Sequence, residues 1–164
     1  MVELPRVPDD EPALRAAFSR FPSGVVAVAA LVDGAPAGMS ASSFTSVSLD
    51  PPLVSVNAHV KSVTWARLAD RPRLGLSVLG EDQADICRRL ATRGLGDRFA
   101  GVPWAATGSG AVFVEGATAW LECEITQRVP AGDHEIIVLG LHAVATVPDR
   151  PPLIFHASAF HRLA

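Results

Sequence analysis

The sequence is poor in lysine and in long apolar runs, and each shortage excludes a class of protein. Lys61 is the only lysine among 14 basic residues, and the 164-residue chain carries a net charge of −3. A nucleic acid partner is excluded because its phosphate backbone requires a basic surface that this composition does not provide. No apolar stretch approaches the ~20 residues that cross a bilayer, so we also expect no membrane association.

Cysteine is equally scarce. Cys87 and Cys123 are the only two cysteines, and no CxxC spacing joins them, which predicts buried free thiols in a reducing compartment. The stretch MVELPRVPDDEP is acidic and broken by prolines, unlike the basic and then apolar order of a secretory signal. With 49% apolar and 19% charged residues, we expect one cytoplasmic domain over residues 1–164, with residues 1–10 as a flexible N-terminus.

Motifs for nucleotides, nucleophiles and metals are incomplete. The stretch GSGAVF begins like a dinucleotide fingerprint, but Phe113 stands where a small residue must allow close helix packing. GMSAS resembles a nucleophile elbow in which Ser42 replaces the last glycine, so a serine hydrolase using Ser40 or Ser42 stays an alternative that its strand-to-strand context disfavours. The five histidines form no HExxH pattern, and we predict no metal site.

Short strands dominate the predicted secondary structure. Asp9 or Asp10 caps a first helix with Pro12 in its first turn, and Leu14, Phe18 and Phe21 make it a short amphipathic lid. Further helices are predicted in the stretches SVTWARLADR and EDQADICRRLATRG, and an irregular loop over residues 94–110. Strands are predicted at 24–32, 40–48, 53–58, 74–80, 111–129 and 134–147, before a closing PPLIFHASAF. This order favours a mainly β fold, an antiparallel closed or partly closed barrel with a few short peripheral helices.

The serine-rich stretch from Ser40 to Ser48 is the least ordinary part of the sequence. Read as one strand, it carries small hydroxyls on both faces and no charged side chain. Small hydroxyls suit a flat ligand that approaches closely, and a helix start with Lys61 and Ser62 suits a phosphate. The alternative is a solvated strand edge beside a capped helix, and the residues alone do not decide between the two.

Several stretches, taken in order, resemble the flavin reductase-like family of FMN-binding split barrels. They are FPSGVVAVAALVDGAPAGMSASSF, SLDPPL, KSVTW, DRFAG and AGDHEI, spread over about residues 18–162. The resemblance implies an antiparallel split barrel with the activity of a short-chain NAD(P)H:flavin oxidoreductase of two-component monooxygenase systems. Hydride would pass from NADH or NADPH to FMN or FAD, with FMN the favoured flavin, and reduced flavin would diffuse to a separate oxygenase. Such proteins are generally homodimers.

The resemblance also implies roles for individual residues. Those expected to bind the flavin are Gly38, Met39, Ser40, Ala41, Ser43 and Phe44 along the ring, Asn57, Ala58 and His59 beside it, Lys61, Ser62 and Thr64 on the phosphate side, and Arg89 and Leu90 on a helix. Those expected on the nicotinamide side are Asp133, His134, His156 and Ser158, with His134 as the candidate catalytic residue.

Two positions depart from the family pattern. Leu90 stands where the family usually has phenylalanine, which puts a stacking role there in doubt. The C-terminal family pattern Y-R-G-x-Y is replaced by HASAF, His156 to Phe160, which leaves the choice between NADH and NADPH open. The same departure favours an alternative function, a flavin-binding module without turnover that acts as a carrier, a sensor or an oxygenase partner.

Overall fold

Antiparallel strands are the main secondary structure of the computed structural model, which describes residues 1–163. Residues 1–10 are exposed and form no helix or strand. The strands are β1 (Ser23–Gly24), β2 (Val26–Val32), β3 (Ala35–Ala41), β4 (Thr45–Leu49), β5 (Pro52–His59), β6 (Leu74–Val78), β7 (Trp104–Ala106), β8 (Val112–Val114), β9 (Ala119–Ala131), β10 (His134–Thr146), β11 (Ile154–His156) and β12 (Ala159–His161). The helices are α1 (Glu11–Phe18), α2 (Val63–Leu68) and α3 (Ala84–Ala91).

The main sheet has seven antiparallel strands in the order β3-β2-β6-β9-β10-β5-β4. The residues 42–44 carry the chain from one edge strand, β3, to the other, β4. At this crossing the Ser43 Oγ accepts a hydrogen bond from the backbone N–H of Asn57 in β5 (2.8 Å). The sheet therefore curls until its edges meet, which confirms the predicted antiparallel split barrel with short peripheral helices.

Both faces of β2 are buried, which explains its uninterrupted apolar sequence. Val26 and Val28 pack inside the barrel, where α2 contributes Trp65 at 2% exposure. Ala27 and Ala29 face a second apolar cluster outside the barrel, which includes residues of α3 and of the loop after it. This second cluster fixes α3 and its loop against the barrel wall.

The helix predictions are confirmed, with changed bounds. The Ser62 Oγ accepts a hydrogen bond from the Trp65 N–H (3.1 Å), as expected for the cap of α2. Helix α3 begins later than predicted because the buried side chain of Gln83 forms hydrogen bonds that stabilise the turn before the helix. Its Oε1 accepts from the Gly80 N–H (2.9 Å), and its Nε2 donates to the Glu115 carbonyl (2.8 Å).

Helix α1 forms where the sequence predicts it, but it is not a packed lid. Asp10 is its N-cap residue and proline stands in its first turn. None of its residues is buried, and Phe18 is 72% exposed. Phe21, just beyond the helix, is 80% exposed. The apolar side of this segment is therefore open to solvent.

Two predicted strands are interrupted in the structure. The predicted strand 40–48 is wrong as a single strand, because the chain bends at 42–44 between β3 and β4. The predicted strand 111–129 divides into β8 and β9 around Gly116, whose positive φ of 77° breaks the extended backbone. Strand β8 then pairs with β7, which lies in the region predicted as irregular loop. Of the two large aromatic side chains in that region, Phe99 is buried, whereas Trp104 is 36% exposed.

The C-terminal segment forms a small separate sheet in the order β1-β11-β12. Its hairpin turns through Ala157 and Ser158, both of which have positive φ. The Ala157 N–H donates to the Ser19 carbonyl just after α1 (2.8 Å), so this hairpin holds the end of α1. Within residues 1–163, no helix is long and apolar enough to span a membrane.

Candidate active site

A cleft of about 1120 Å³, called here the large cleft, opens where the two edges of the main sheet meet. Its walls are the end of β3 with the following bend, the end of β5 with the start of α2, the end of α3 with the loop after it, and the start of β10. Arg15 and Phe18 of α1 complete its border. Small-molecule sites are typically ~300–1,000 Å³, so this cleft has room for a large ligand or for two.

Most of the residues expected to bind a ligand meet at this cleft. Those that line it are Met39, Ser40, Ala41, Ser43, Asn57, Ala58, His59, Lys61, Ser62, Thr64, Leu90 and His134. Those that do not line it are Gly38, Phe44, Arg89, Asp133, His156 and Ser158. Residues far apart in the sequence are thus brought together, because β3 and β5 end, and β10 begins, at the same opening.

The large cleft is positively charged although the chain is acidic. Arg15, Lys61, Arg93 and Arg98 line it, and none of the described residues on its walls is Asp or Glu, while the net charge of the chain is −3. The only lysine of the sequence therefore lies in this cleft. Such a concentration of one charge sign attracts anionic ligands, above all phosphates.

The serine-rich wall of the cleft uses part of its hydroxyls to hold the fold. The Ser43 Oγ accepts from the Asn57 N–H (2.8 Å), and the Ser40 Oγ donates to the Cys87 carbonyl (3.2 Å). Ser42 is exposed and lines the cleft. Because β3 is an edge strand, one side of its backbone has no neighbouring strand. Ser42 and this backbone edge offer the free hydrogen-bonding groups of the wall.

Asp133 joins two histidines that line the large cleft. Its Oδ1 lies 2.7 Å from the His134 Nδ1, and its Oδ2 lies 3.9 Å from the His59 Nε2. The two histidines are opposite each other on β10 and β5, with ring centroids 5.1 Å apart. The hydrogen bond from His134 is the main cause that lowers the pKa of the Asp133 carboxyl.

These contacts fix which ring nitrogens carry protons. A carboxylate only accepts hydrogen bonds, so the His134 Nδ1 carries a proton and the Nε2 is left for other partners. The His59 Nδ1 accepts from the Lys61 backbone N–H (3.0 Å), so a neutral His59 carries its proton on Nε2, toward Asp133. When both rings are neutral, the two histidines therefore hold opposite tautomers around one carboxylate.

Comparison with known proteins identifies this arrangement. The sequence model of the family described as "Flavin reductase like domain" matches residues 18–164. The chain belongs to the flavin reductase-like family. A flavin reductase of Pseudomonas putida is 31% identical over 159 residues, which cover 96% of this chain and 93% of the relative. Some other curated family members are longer, and the chain spans 40% to 56% of three of them.

Solved structures of flavin reductases share the fold over nearly the whole chain. The NADH:FAD oxidoreductase of Streptomyces globisporus, solved with NAD and FAD fragments, superposes with a TM-score of 0.91 at 37% identity, covering 99% of this chain and 98% of that one. The flavin reductase component of a bacterial two-component tryptophan halogenase gives a TM-score of 0.86 at 35% identity, covering 94% and 98%.

The large cleft fits the flavin that the family implies. A flavin nucleotide presents a flat ring with hydrogen-bonding atoms along its edge and a phosphate-bearing tail. The free edge of β3 and Ser42 suit the ring edge, and Leu90 and Phe18 supply apolar contact. Lys61 and Ser62, at the start of α2, suit the tail. The hydrogen-bonding groups of the wall thus match the ring of the flavin. The cationic side chain and the absence of carboxylates from the described walls match its phosphate tail.

Arg89 is placed differently from the sequence prediction. Its Nε donates to the Arg98 carbonyl (3.0 Å) and its Nη2 donates to the Asp97 carbonyl (2.8 Å). Arg89 therefore holds the loop after α3 and does not line the cleft. The next residue, Leu90, does line the cleft, but it is fully buried and offers no aromatic ring for stacking.

Arg98 is one of the cleft residues that the sequence analysis missed. Its Nη1 donates to the Leu90 carbonyl (2.9 Å) and to the Gly38 carbonyl (3.4 Å) while the side chain lines the cleft. The stretch DRFAG contributed to the family resemblance, yet nothing in its spacing shows which arginine the fold turns toward the ligand. Ser42 was missed as well, although it lies inside the serine-rich stretch.

A smaller side cavity of about 450 Å³ adjoins the large cleft and shares the wall Ser40–Ser42 with it. Ser158 lines this side cavity together with Phe155 and Phe160. His156 lines neither cavity, and its carbonyl lies 3.2 Å from the His161 Nε2. Of the two C-terminal residues expected on the nicotinamide side, only Ser158 is therefore near the cleft.

Both cysteines are buried free thiols, as the sequence predicts. Burial raises the pKa of the Cys87 thiol and raises that of Cys123 to about 12. Thiols in this state react slowly, because the thiolate is the nucleophile. Among residues 1–163, no group of His, Cys, Asp and Glu side chains could hold a metal ion.

Proposed function

We propose that this chain is an NAD(P)H-dependent flavin reductase that uses the large cleft for both nucleotides. The observation that carries the proposal is a cleft with four cationic side chains and no carboxylate on its described walls, in an acidic chain. Both substrates bear phosphates, so this charge favours both. The related Streptomyces globisporus protein, an NADH:FAD oxidoreductase, supports the same activity.

The chemistry resides in the nucleotides, and the protein binds and orients them. When both are bound, a hydride passes from nicotinamide C4 to flavin N5, which leaves oxidised nicotinamide and a reduced flavin with one additional negative charge. Lys61, Ser62 and Thr64 hold the phosphate side. The β3 edge and Ser42 orient the ring, and Leu90 excludes water from it.

His134 is the proposed catalytic residue. Asp133 accepts the Nδ1 proton (2.7 Å) and thereby fixes the ring, so the Nε2 is left to contact a ligand in the cleft. There His134 orients the nicotinamide, or it offers a hydrogen bond or a proton to the reduced flavin. A purely structural histidine of the turn is the competing interpretation, and substitution separates the two.

One observation favours a second candidate, a flavin-binding module without turnover. The segment HASAF replaces the family pattern, and His156 lies outside both cavities. A carrier, sensor or oxygenase partner would keep the flavin contacts of the large cleft and lack productive nicotinamide binding.

The deciding experiment mixes the purified protein with each pair of nucleotides. NADH and NADPH are each combined with FMN and with FAD, and the loss of the nicotinamide absorbance band is followed. We expect catalytic consumption with at least one pair, and the four rates give the preferences for flavin and nicotinamide. Flavin binding without consumption in any pair would establish the module and refute the enzyme.

We further propose that reduced flavin leaves for a separate oxygenase and that the protein is a cytoplasmic homodimer. The border of the large cleft is open to solvent, which suits release. The apolar side chains of Val47 and Leu49 on the edge strand β4 are exposed, Leu49 to 95%. Apolar groups on an edge strand favour cover by a second copy. Light scattering on the eluting protein distinguishes a dimer from a monomer.

A further inference from the structure

Arg98 differs from the other cationic residues of the large cleft because the fold holds it in place. Its Nη1 is bound to the carbonyls of Leu90, at the end of α3, and of Gly38, on the edge strand β3. The other guanidinium donors, on Nε and Nη2, make no hydrogen bond within residues 1–163. An arginine has five N–H donors, so most of its capacity remains for a ligand.

The positive charge of Arg98 has no acidic partner in the described part of the chain. Arg15, by contrast, contacts Glu11 at 2.6 Å, whereas no ion pair among residues 1–163 includes Arg98. Burial lowers the pKa of its guanidinium, which still stays protonated at neutral pH because an arginine starts so high. A charge without a partner in a partly desolvated wall interacts strongly with an anionic ligand.

The loop that carries Arg98 is fixed on both sides. Arg89 donates to the Arg98 carbonyl (3.0 Å), and the Asp97 side chain accepts from the Phe99 N–H (2.9 Å). Phe99 is 4% exposed and packs directly on Gly38, where an added Cβ would lie 3.0 Å from its ring. The guanidinium is thus preorganised against the strand that forms the cleft wall.

We propose that Arg98 stabilises the additional negative charge that the flavin ring acquires on reduction, an inference that rests on the proposed function. A fixed, partly buried guanidinium on the β3 wall suits a rigid ring pressed against that wall. A mobile phosphate tail is better matched by the exposed side chains of Lys61 and Arg93. Charge near the ring is a general means by which proteins tune bound flavins.

Arg98 has a second electrostatic effect in this position. The last carbonyls of α3 form the negative end of its dipole, and the Gly38 carbonyl adds to them. Without Arg98, the negative potential of these oxygens would disfavour an anionic ring bound beside them. The guanidinium donates to both carbonyls and adds a positive charge at this point of the wall.

The test compares oxidised with reduced flavin on the same variant. Arg98→Gln is expected to weaken the binding of reduced FMN by about 10- to 100-fold, which is the effect of losing one hydrogen bond from a charged group. The binding of oxidised FMN should weaken much less. The midpoint potential of bound FMN should become ~30–60 mV more negative, because a tenfold change equals about 30 mV in a two-electron couple. Fluorescence titrations of oxidised FMN and anaerobic titrations of reduced FMN give both affinities.

Two controls and one replacement variant decide the interpretation. Arg89→Gln removes a charge outside the cleft and loosens the loop that holds Arg98, so it should lower the melting temperature and change the ratio of reduced to oxidised affinity less than Arg98→Gln does. Riboflavin has the same ring but no phosphate. Arg98→Gln should therefore change the ratio of reduced to oxidised affinity as much for riboflavin as for FMN. If Arg98→Gln does not fold, Arg98→Met, which keeps the alkyl chain, takes its place.

Two results would overturn the inference. If Arg98→Gln loses the same affinity for oxidised and for reduced FMN, and loses none for riboflavin, Arg98 contacts the phosphate. If the ratio of reduced to oxidised affinity is unchanged with both FMN and riboflavin, Arg98 does not interact with the charge of the ring. A third result is that the ratio of reduced to oxidised affinity differs between wild type and Arg98→Gln while the wild-type protein consumes neither NADH nor NADPH. That result would refute the proposed activity and leave the role of Arg98 in place.

Discussion

Two carboxylates on the long β9–β10 hairpin each contact a histidine and a second basic side chain, but they lie in different surroundings. Asp133 in the turn contacts His134 at 2.7 Å and His59 at 3.9 Å. Glu124 in β9 contacts Arg73 at 2.7 Å and His142 at 3.2 Å. We call them the turn cluster and the strand cluster.

The two clusters share their electrostatics and differ in location. Hydrogen bonds from histidine are the main cause that lowers the pKa of both carboxyl groups. Both histidines of the turn cluster line the large cleft, whereas no residue of the strand cluster is among the described residues of its walls. A perturbed carboxylate beside a histidine is therefore insufficient to identify a catalytic site, and the position of the histidine on the cleft supplies the missing information.

The largest difference between the clusters is expected on removing their histidines. His134→Ala should lower turnover by about 100-fold, the lower end of the range for a positioned proton donor, and change flavin affinity much less. His142→Ala removes the same side chain from the strand cluster and should retain the wild-type rate. Steady-state rates and flavin titrations on both variants make the comparison, and equal rates for His134→Ala and wild type would assign His134 a structural role.

Replacing the carboxylates should give a smaller difference. Asp133→Asn can either accept from the His134 Nδ1 or donate to it, so the tautomer is no longer fixed. We expect kcat/KM to fall roughly tenfold, as for one lost charge-assisted hydrogen bond. Glu124→Gln is the matched control and should leave kcat/KM unchanged. A similar decrease in both variants would indicate a general loss of stability, and melting temperatures would reveal it.

Local sequence patterns predict those parts of the fold that local interactions determine. The Ser62 cap of α2 and the apolar run of β2 are examples. The bend between Ser42 and Phe44 was not predictable because no glycine or proline marks it. It arises where the two edges of the sheet meet and Ser43 binds the backbone of Asn57.

The candidate site shows the same limit. The family resemblance supplied most of the residues that line the large cleft, including His134 and Lys61. It could not separate Arg89 from Arg98, because which guanidinium reaches the cleft depends on how α3 and the following loop pack against Gly38. The sequence analysis named Arg89 and not Arg98, and tertiary packing places Arg98 on the cleft.

The smallest expected effect is on acid stability, and here the two clusters should behave alike. Folding lowers the pKa of Asp133 and Glu124 below their ordinary values of 3.8 and 4.5. Each ionised carboxylate therefore stabilises the fold above its ordinary pKa, and this contribution is lost as the pH falls through the lowered value. Both groups are exposed to solvent, so the contributions are small and salt reduces them further.

Urea unfolding at neutral pH and at about pH 3, below both ordinary values, measures this contribution. The stability difference between wild type and Asp133→Asn should shrink from neutral to acidic pH, and Glu124→Gln should show the same trend. A difference that is independent of pH would mean that the substitution acts through packing and not through charge. Similar stability profiles with different activities would show that location on the cleft, and not the strength of the ion pairs, separates the turn cluster from the strand cluster.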